Sequence, residues 1–335
     1  MIYDRKVISD FERSLRIFKG NAESSVKIYS KKVNKFLAWA EKEGCKTPFS
    51  RADVELYLEY CFYAGNSAVT RLSKQTALSN FFRYLIYAGL MSEDPTKDIP
   101  RPRQSKKFIQ YFTQTEVLKI FSAIDIRQEI GLRDAVIIMF AVFGGLRVSE
   151  ITSLTFQNII DEGKSLTLEV TGKGDKTRRL YLWKVPSDYL RQWISVRLSQ
   201  HPRASDPLIV SYRRGGVVRG ARMGTPMLDR ICKKYAAIAG IKRTKISMHM
   251  LRATHANNLR HIAGYDSSAI AERLGHVSIA TTDRYIATRG RIHRQYPSLA
   301  AYWKEFNLLW KETPDAASPT DNNNPHGGTG DDDEI

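Results

Sequence analysis

Between Asp94 and Gln110 the chain reads DPTKDIPRPRQSKKFIQ, with three prolines and five Lys or Arg residues. Such a stretch cannot be a helix interior, because each proline lacks an amide donor and clashes with the preceding turn. An exposed connection suits it better, and its basic residues either lie along phosphates or simply keep a linker solvated. The chain therefore divides into a first domain over 1–94, a basic linker over 95–110, a second domain over 111–312 and a tail over 313–335. At 335 residues and 42% hydrophobic content, two domains can each bury a core.

Before the linker, every apolar pattern has helical period. Residues Glu23 to Glu43 place Val26, Tyr29, Val33, Phe36, Leu37 and Ala40 on one stripe. Ser50 is positioned to cap a second helix, with Asp53 at its third position, running to about Gly65. A third helix, from Ser67 to Tyr87, stops at Gly89. After the linker, Thr113 and Glu116 form a capping-box pattern, and Arg133 to Phe143 reads as a buried helix broken by Gly144-Gly145. Leu166, Leu168 and Val170 alternate as in a strand, and Arg179 to Leu182 gives its partner across the polar turn Gly172-Lys173-Gly174-Asp175-Lys176. Helices resume at about Met227–Ala239, Met248–Ile262, Ser267–Leu274 and Thr281–Thr288. The expected fold is mainly α with a small β-sheet: an all-helical domain followed by a mixed α+β domain. Residues 298–310, SLAAYWKEFNLLW, are apolar at helical spacing and must dock on their own domain or on a neighbouring copy. The polar, Gly/Pro/Asn-rich end that follows is expected to be disordered.

Charge narrows the function. The 52 Lys and Arg outnumber 35 Asp and Glu, giving +17, and because six acidic residues and no basic ones lie in 313–335, the first 312 residues carry +23. Such an excess suits a polyanion, nucleic acid foremost, with a solvated lysine surface as the plainer reading. Three widely spaced cysteines, Cys45, Cys61 and Cys232, fit neither a disulfide framework nor a metal cluster and point to a reducing, cytoplasmic setting. The N-terminus lacks a secretory pattern, and the longest apolar run, Ala135 to Phe143, is too short to span a bilayer.

Four segments of the second domain carry chemistry: GLRVSEI around Arg147, TGKGDKTRRL around Lys173, HMLRATHANNL around His249 and Arg252, and LGHVSIATTDRYI around His276 and Tyr285. Three residues apart, His249 and Arg252 share one helix face. Transfer of a phosphodiester needs cations that gain strength as charge builds on the non-bridging oxygens, and two arginines and a histidine meet that need. A tyrosine supplies an oxygen nucleophile whose bond to phosphorus stores energy for reversal. The departing sugar oxygen needs a proton, which a lysine at a hairpin tip can give. Plainer roles exist for each. Arg147 fits an ion pair with Glu150, Lys173 has Lys176, Arg178 and Arg179 as rivals, and Tyr285 is one of 16 tyrosines. A zinc set from His249, His255, His261 and His276 fails on spacing, with only Glu272 offering a carboxylate four before His276.

Taken in order, GLRVSE, GKGDK, HMLR, LGH and a tyrosine nine residues beyond that histidine resemble the boxes of the tyrosine recombinases, the family of phage integrases and Xer-type enzymes. The resemblance spans Gly145 to Tyr285, and the helical domain before it is similar to the family's core-binding domain. It implies a C-shaped clamp on duplex DNA and tetramers acting on two DNA sites through a four-way junction, without metal or other cofactor. It makes Arg147 and Arg252 the phosphate clamps, Lys173 the general acid, and His249 a proton-transfer or oxygen-binding group. His276 would bind a non-bridging oxygen, Tyr285 would form a 3′-phosphotyrosine, and Glu150 would orient a catalytic cation or histidine. Candidate DNA contacts are Lys31, Lys32, Arg71 and Lys74 in the first domain, Arg101, Arg103, Lys106 and Lys107 in the linker, and Lys242, Arg243 and Lys245 before the HMLR helix. Two other readings share these features: a type IB topoisomerase, which needs no partner site, and a DNA-binding protein without chemistry, which would lack an arginine or the tyrosine. With no room before Glu23 for a separate arm-binding domain, a compact Xer-like layout is expected, serving integration and excision of an element or resolution of replicon dimers.

Overall fold

The structure, a computed structural model, describes residues 3–103, 109–163, 165–172, 176–182, 184–213, 216–276 and 279–286. Two compact units divide it, 1–106 and 107–335.

Among the described residues, four helices build the first unit: α1 (Arg5–Ile17), α2 (Glu23–Lys42), α3 (Arg51–Tyr63) and α4 (Ala68–Tyr87). Each of α1, α3 and α4 starts where a short polar side chain meets an orphan amide of the first turn: Asp4 takes Val7 N at 2.9 Å, and Ser67 takes Thr70 N at 3.3 Å. Ser50 caps α3 as expected, and Asp53 returns the bond to Ser50 N, so the two form a reciprocal box at 3.3 and 2.8 Å. Helix α1 is an addition to the sequence-based reading. It contributes Phe11 and Leu15 to a core of packed rings in which Phe36 meets Phe49 at 4.9 Å and Tyr57 at 5.1 Å, both edge-on. The start of the basic stretch is a second departure. Rather than running exposed, Asp94 accepts from Thr96 N at 2.9 Å and Ile99 is buried in the same core, its carbonyl taking Gln75 Nε2 at 2.8 Å. An apolar residue and a turn-forming Asp dock that segment despite its prolines.

The second unit holds α5 (Gln114–Ser122), α6 (Glu129–Val142), α7 (Val148–Ser153), α8 (Lys184–Leu198), α9 (Thr225–Ile238), α10 (Met248–His261), α11 (Ser267–Leu274) and α12 (Ile279–Ile286). Strands β1 (Ile159–Asp161), β2 (Leu166–Thr171) and β3 (Thr177–Leu182) form an antiparallel sheet in that order, and β4 (Val210–Arg213) pairs with β5 (Gly216–Arg222). Among the described residues the chain is mainly helical with small sheets, the expected class. Thr113 and Glu116 make their box at 3.2 and 2.7 Å. Helix α6 is buried from Gly131 to Val142, so burial rather than an amphipathic stripe holds it: large side chains such as Ile137 and Phe140 contribute about 1.5–3 kcal/mol each. It packs against α8 and α10. Helix α8, with Trp193 fully buried and donating to Leu208 O at 3.0 Å, strand β1 and the β4–β5 ribbon were not expected from sequence. In the hairpin, Leu168 pairs with Leu180 and Val170 with Arg178, so Leu166, Leu168, Val170, Leu180 and Leu182 share the buried face. No helix among the described residues is long and apolar enough to cross a membrane. The C-terminal segment 298–310 and the tail lie outside the described residues.

Candidate phosphate-binding site

Glu150, in the first turn of α7, is 3% exposed and gathers the site's cations. Its carboxylate accepts from Arg147 N at 2.8 Å and Arg147 Nη1 at 2.7 Å, and from Arg178 Nη1 and Nη2 at 3.2 and 2.9 Å, with Arg252 Nη1 at 3.7 Å. Burial alone would push this carboxyl up. The bonds from Arg178 and Arg147 outweigh it, and the group sits below the usual carboxylate range.

One carboxylate cannot satisfy three guanidiniums, and the remaining acceptors come from the end of α11. There, Arg273 O takes Arg178 Nε at 3.2 Å, Leu274 O takes Arg252 Nη2 at 2.7 Å, and Gly275 O takes Arg147 Nη2 at 2.8 Å. The last carbonyls of a helix lack intrahelical donors and carry its negative end, so three successive ones each hold a different arginine. Gly275 ends α11 at φ 63°, and a Cβ there would lie 3.0 Å from Arg178 Nη1. A second left-handed glycine, Gly145 at φ 60°, offers its carbonyl to Arg252 Nη1. Arg252 is thus buried, 1% exposed, with both Nη atoms on backbone carbonyls, whereas the Arg147 side chain remains 31% exposed.

His276 lies beside Arg252, with Nε2 2.8 Å from Arg252 Nη2 and Nδ1 2.8 Å from Thr282 Oγ1 of α12. Its pKa is lowered to about 3 by burial and by the fields of Arg252, Arg147, His249 and Arg178, so the ring is neutral. His255 is also held neutral, lowered to about 3 by burial foremost, with Nδ1 3.2 Å from Val142 O. His249, in the first turn of α10, is exposed, and its charge is among those that reach His276.

The structure therefore brings Arg147, Arg252, His276 and Glu150 together. Lys173 falls outside the described residues; of the residues flanking that segment, Gly172 N donates to Lys176 O at 2.9 Å. Tyr285 is in the last turn of α12, its side chain outside the described residues. Arg178 and Thr282 were not singled out from sequence as site residues, although Arg178 has a readable signal: it shares strand parity with buried Leu180 and Leu182. No group of three or more His, Cys, Asp or Glu suited to a metal occurs among the described residues.

The proposed DNA contacts divide. Lys31, Arg101, Arg103, Lys242 and Lys245 are exposed, and Lys106 and Lys107 lie outside the described residues. Lys32 contacts Ser73 Oγ, Arg71 donates to Asn66 O at 2.7 Å, and Lys74 is 2.9 Å from Cys61 Sγ. Arg243 is engaged within the unit: Glu116 at 2.6 Å and Tyr111 O at 2.9 Å meet its guanidinium, making it a strut between the α9–α10 connection and α5.

This collar of arginines on a helix end, with the ordered motifs, coincides with two family matches. The phage integrase family profile covers residues 110–290, and the N-terminal SAM-like domain of phage integrases covers 8–90. The chain belongs to the phage integrase family and is a site-specific recombinase of the tyrosine type. Among its relatives is the tyrosine recombinase XerD of Listeria monocytogenes (serotype 4b, strain F2365), 27% identical over 286 residues that span 83% of this chain and 93% of that protein. The fold is similar to XerH recombinase in a post-cleavage complex with its difH substrate, with TM-score 0.67, 22% identity and coverage of 89% and 85%. It is also similar to a lambda integrase tetramer bound to a Holliday junction, with TM-score 0.65, 16% identity and coverage of 87% and 79%.

Proposed function

We propose that this recombinase cuts one strand of duplex DNA by attack of Tyr285 on a phosphate held by Arg147, Arg252 and His276, leaving a 3′-phosphotyrosine and a free 5′-hydroxyl. The observation that carries this reading is the collar itself: Arg147 fixed by Glu150 and Gly275 O, Arg252 fixed by Leu274 O, and a neutral histidine beside Arg252. Preorganised cations of this kind stabilise charge that develops at phosphorus without reorganising during the step. Lys173 gives the leaving oxygen its proton, and His249, exposed at the α10 N-terminus, exchanges protons at the attacking side or binds an oxygen. Rejoining reverses these transfers with a 5′-hydroxyl from the partner strand.

Lys31, Lys32, Arg71, Lys74, Arg101, Arg103, Lys106, Lys107, Lys242 and Lys245 contact the duplex backbone, while Arg243 is left out because Glu116 holds it. The working form is a homo-tetramer on two sites in the cytoplasm, associated with the nucleoid where the sites are cellular, and the segment 298–310 docks on a neighbouring protomer. Its outcome is integration and excision of an element or resolution of replicon dimers. The test is covalent trapping on nicked suicide duplexes followed by sequencing of the recovered DNA. Wild type should be trapped, Tyr285→Phe should bind DNA without being trapped, and a trapped Tyr285→Phe protein would overturn the assignment.

A further inference from the structure

The two ring nitrogens of His276 face partners of different kinds. Arg252 has donors only, so Nε2, at 2.8 Å from its Nη2, must accept. Nδ1 of the neutral ring then carries the proton and donates to Thr282 Oγ1 at 2.8 Å. Thr282 is fully buried. A histidine that binds a non-bridging phosphate oxygen needs its proton on the opposite nitrogen. Protonating the whole ring is opposed by burial and by Arg252, Arg147, His249 and Arg178, the charged and titratable groups whose fields reach it. The route that remains is exchange of tautomer, which requires at Nδ1 a partner able to turn from acceptor to donor. A hydroxyl does this, whereas a carbonyl or carboxylate accepts only and an ammonium donates only.

We propose that Thr282 is a positioning residue that sets the tautomer of His276, accepting from Nδ1–H while Arg252 occupies Nε2 and donating to Nδ1 once Arg252 turns to a DNA phosphate. Solvent water that reaches Nε2 when Arg252 turns gives it a proton, the Nδ1 proton passes back to solvent, and the ring ends neutral with Nε2–H pointing its hydrogen bond at the phosphate. Thr282 lies one turn before Tyr285 in α12, so the same bond makes the seating of the nucleophile's helix depend on the state of the phosphate-binding histidine. This inference rests on the recombinase reading and adds to it how the histidine is switched.

Selective ¹⁵N labelling of histidine in the full-length chain tests it. In the free protein His276 should show a protonated Nδ1 and a bare Nε2. Adding the duplex recovered by trapping to the Tyr285→Phe protein should reverse the two signals. Single-turnover cleavage by Thr282→Val should fall about 10- to 100-fold, the effect of leaving one buried nitrogen without its partner, with the Kd for duplex within about twofold. Thr282→Ser should restore cleavage to within about threefold, which guards against a folding defect in the valine variant. In a His276→Gln background Thr282→Val should have no further effect, because residues acting through one another do not add. A protonated Nε2 in the free protein, an imidazolium in the complex, or a valine effect that persists undiminished in the His276→Gln background would each overturn the proposal. Failure of the recombinase reading is separately visible: no covalent complex forms, while the free protein's tautomer is still read directly.

Discussion

Replacing Glu150 with glutamine keeps its shape and removes one charge, and the structure sets the consequence. The carboxylate accepts four hydrogen bonds, from Arg147 N, Arg147 Nη1 and both Arg178 Nη atoms, with Arg252 3.7 Å away. An amide presents two hydrogens of its own to guanidiniums that have only donors and cannot lose their charge. Breaking a buried ion pair by removing one partner costs about 3–5 kcal/mol, because the other charge is left uncompensated. For a unit the size of the second one, each 1 kcal/mol shifts the midpoint by about 2–4 °C, so Glu150→Gln should lower Tm by roughly 6–20 °C. Near-UV circular dichroism against temperature reads this transition. Cleavage of a suicide duplex should fall about 100-fold as Arg147 loses its aim, while duplex affinity is maintained because the cluster becomes more positive. The carboxyl titrates below its ordinary value, so its contribution is present above an unfolded pKa of about 4.3 and is lost as pH falls through the folded one. The gap between wild type and variant should therefore close below about pH 4. Adding Arg178→Met removes one excess cation and should recover at least half of the lost stability. A Tm change under about 2 °C, or a double variant no more stable than the single one, would refute the reasoning.

Gly145→Ala puts a Cβ at φ 60° and 2.6 Å from His255 Cδ2, so it should cost about 2–4 kcal/mol in urea unfolding and slow cleavage by displacing the carbonyl that holds Arg252; a cost below about 1 kcal/mol would count against it. Arg243→Ala should lower stability by about 1–2 kcal/mol and leave duplex Kd within about twofold, since Glu116 occupies the guanidinium; a tenfold loss of affinity at unchanged Tm would restore it as a DNA contact. His255 has its pKa lowered to about 3 in the fold, so the unfolded chain binds a proton the folded one does not as pH falls below about 6.5. His255 should therefore contribute a fall in stability of about 1.4 kcal/mol per pH unit between pH 6 and 4.5; His255→Asn should remove this part of the slope and leave the part of the same sign that His276 contributes, as equilibrium unfolding at several pH values measures.

What could be read ahead of the structure was local. Ser50 with Asp53 and Thr113 with Glu116 each settle a helix start within three residues: Ser50 caps as read, and the Thr113–Glu116 box forms as read. Helix α1 escaped because only Phe11 and Leu15 of its thirteen residues are buried, too few to stand out among its charges. The β4–β5 ribbon escaped because GVVRGAR has little alternation and two glycines. The docked start of the basic stretch depends on Gln75 reaching Ile99, a pairing 24 residues apart with no local signature.

The site divides along the same line. The motifs mark Arg147, Arg252 and His276, but not what makes a buried Arg252 tolerable. That depends on Gly145 and Leu274 carbonyls 107 and 22 residues away, brought in by left-handed glycines that read, in sequence, only as helix breaks. Arg178 illustrates how far the pattern reaches. Strand parity puts it with Leu180 and Leu182 facing inward and puts Arg179 outward, where Arg179 pairs with Glu169 at the surface. Parity alone would condemn an inward arginine, since an unpaired buried guanidinium is among the costliest groups a fold can hold. Its presence in β3 is thus a demand for a buried carboxylate, which Glu150 meets from 28 residues away. Because Arg147 needs that same carboxylate, the hairpin that carries Lys173 and the helix start that carries Arg147 cannot be repacked independently, and a substitution at any one of Arg147, Glu150 or Arg178 must be felt at the other two.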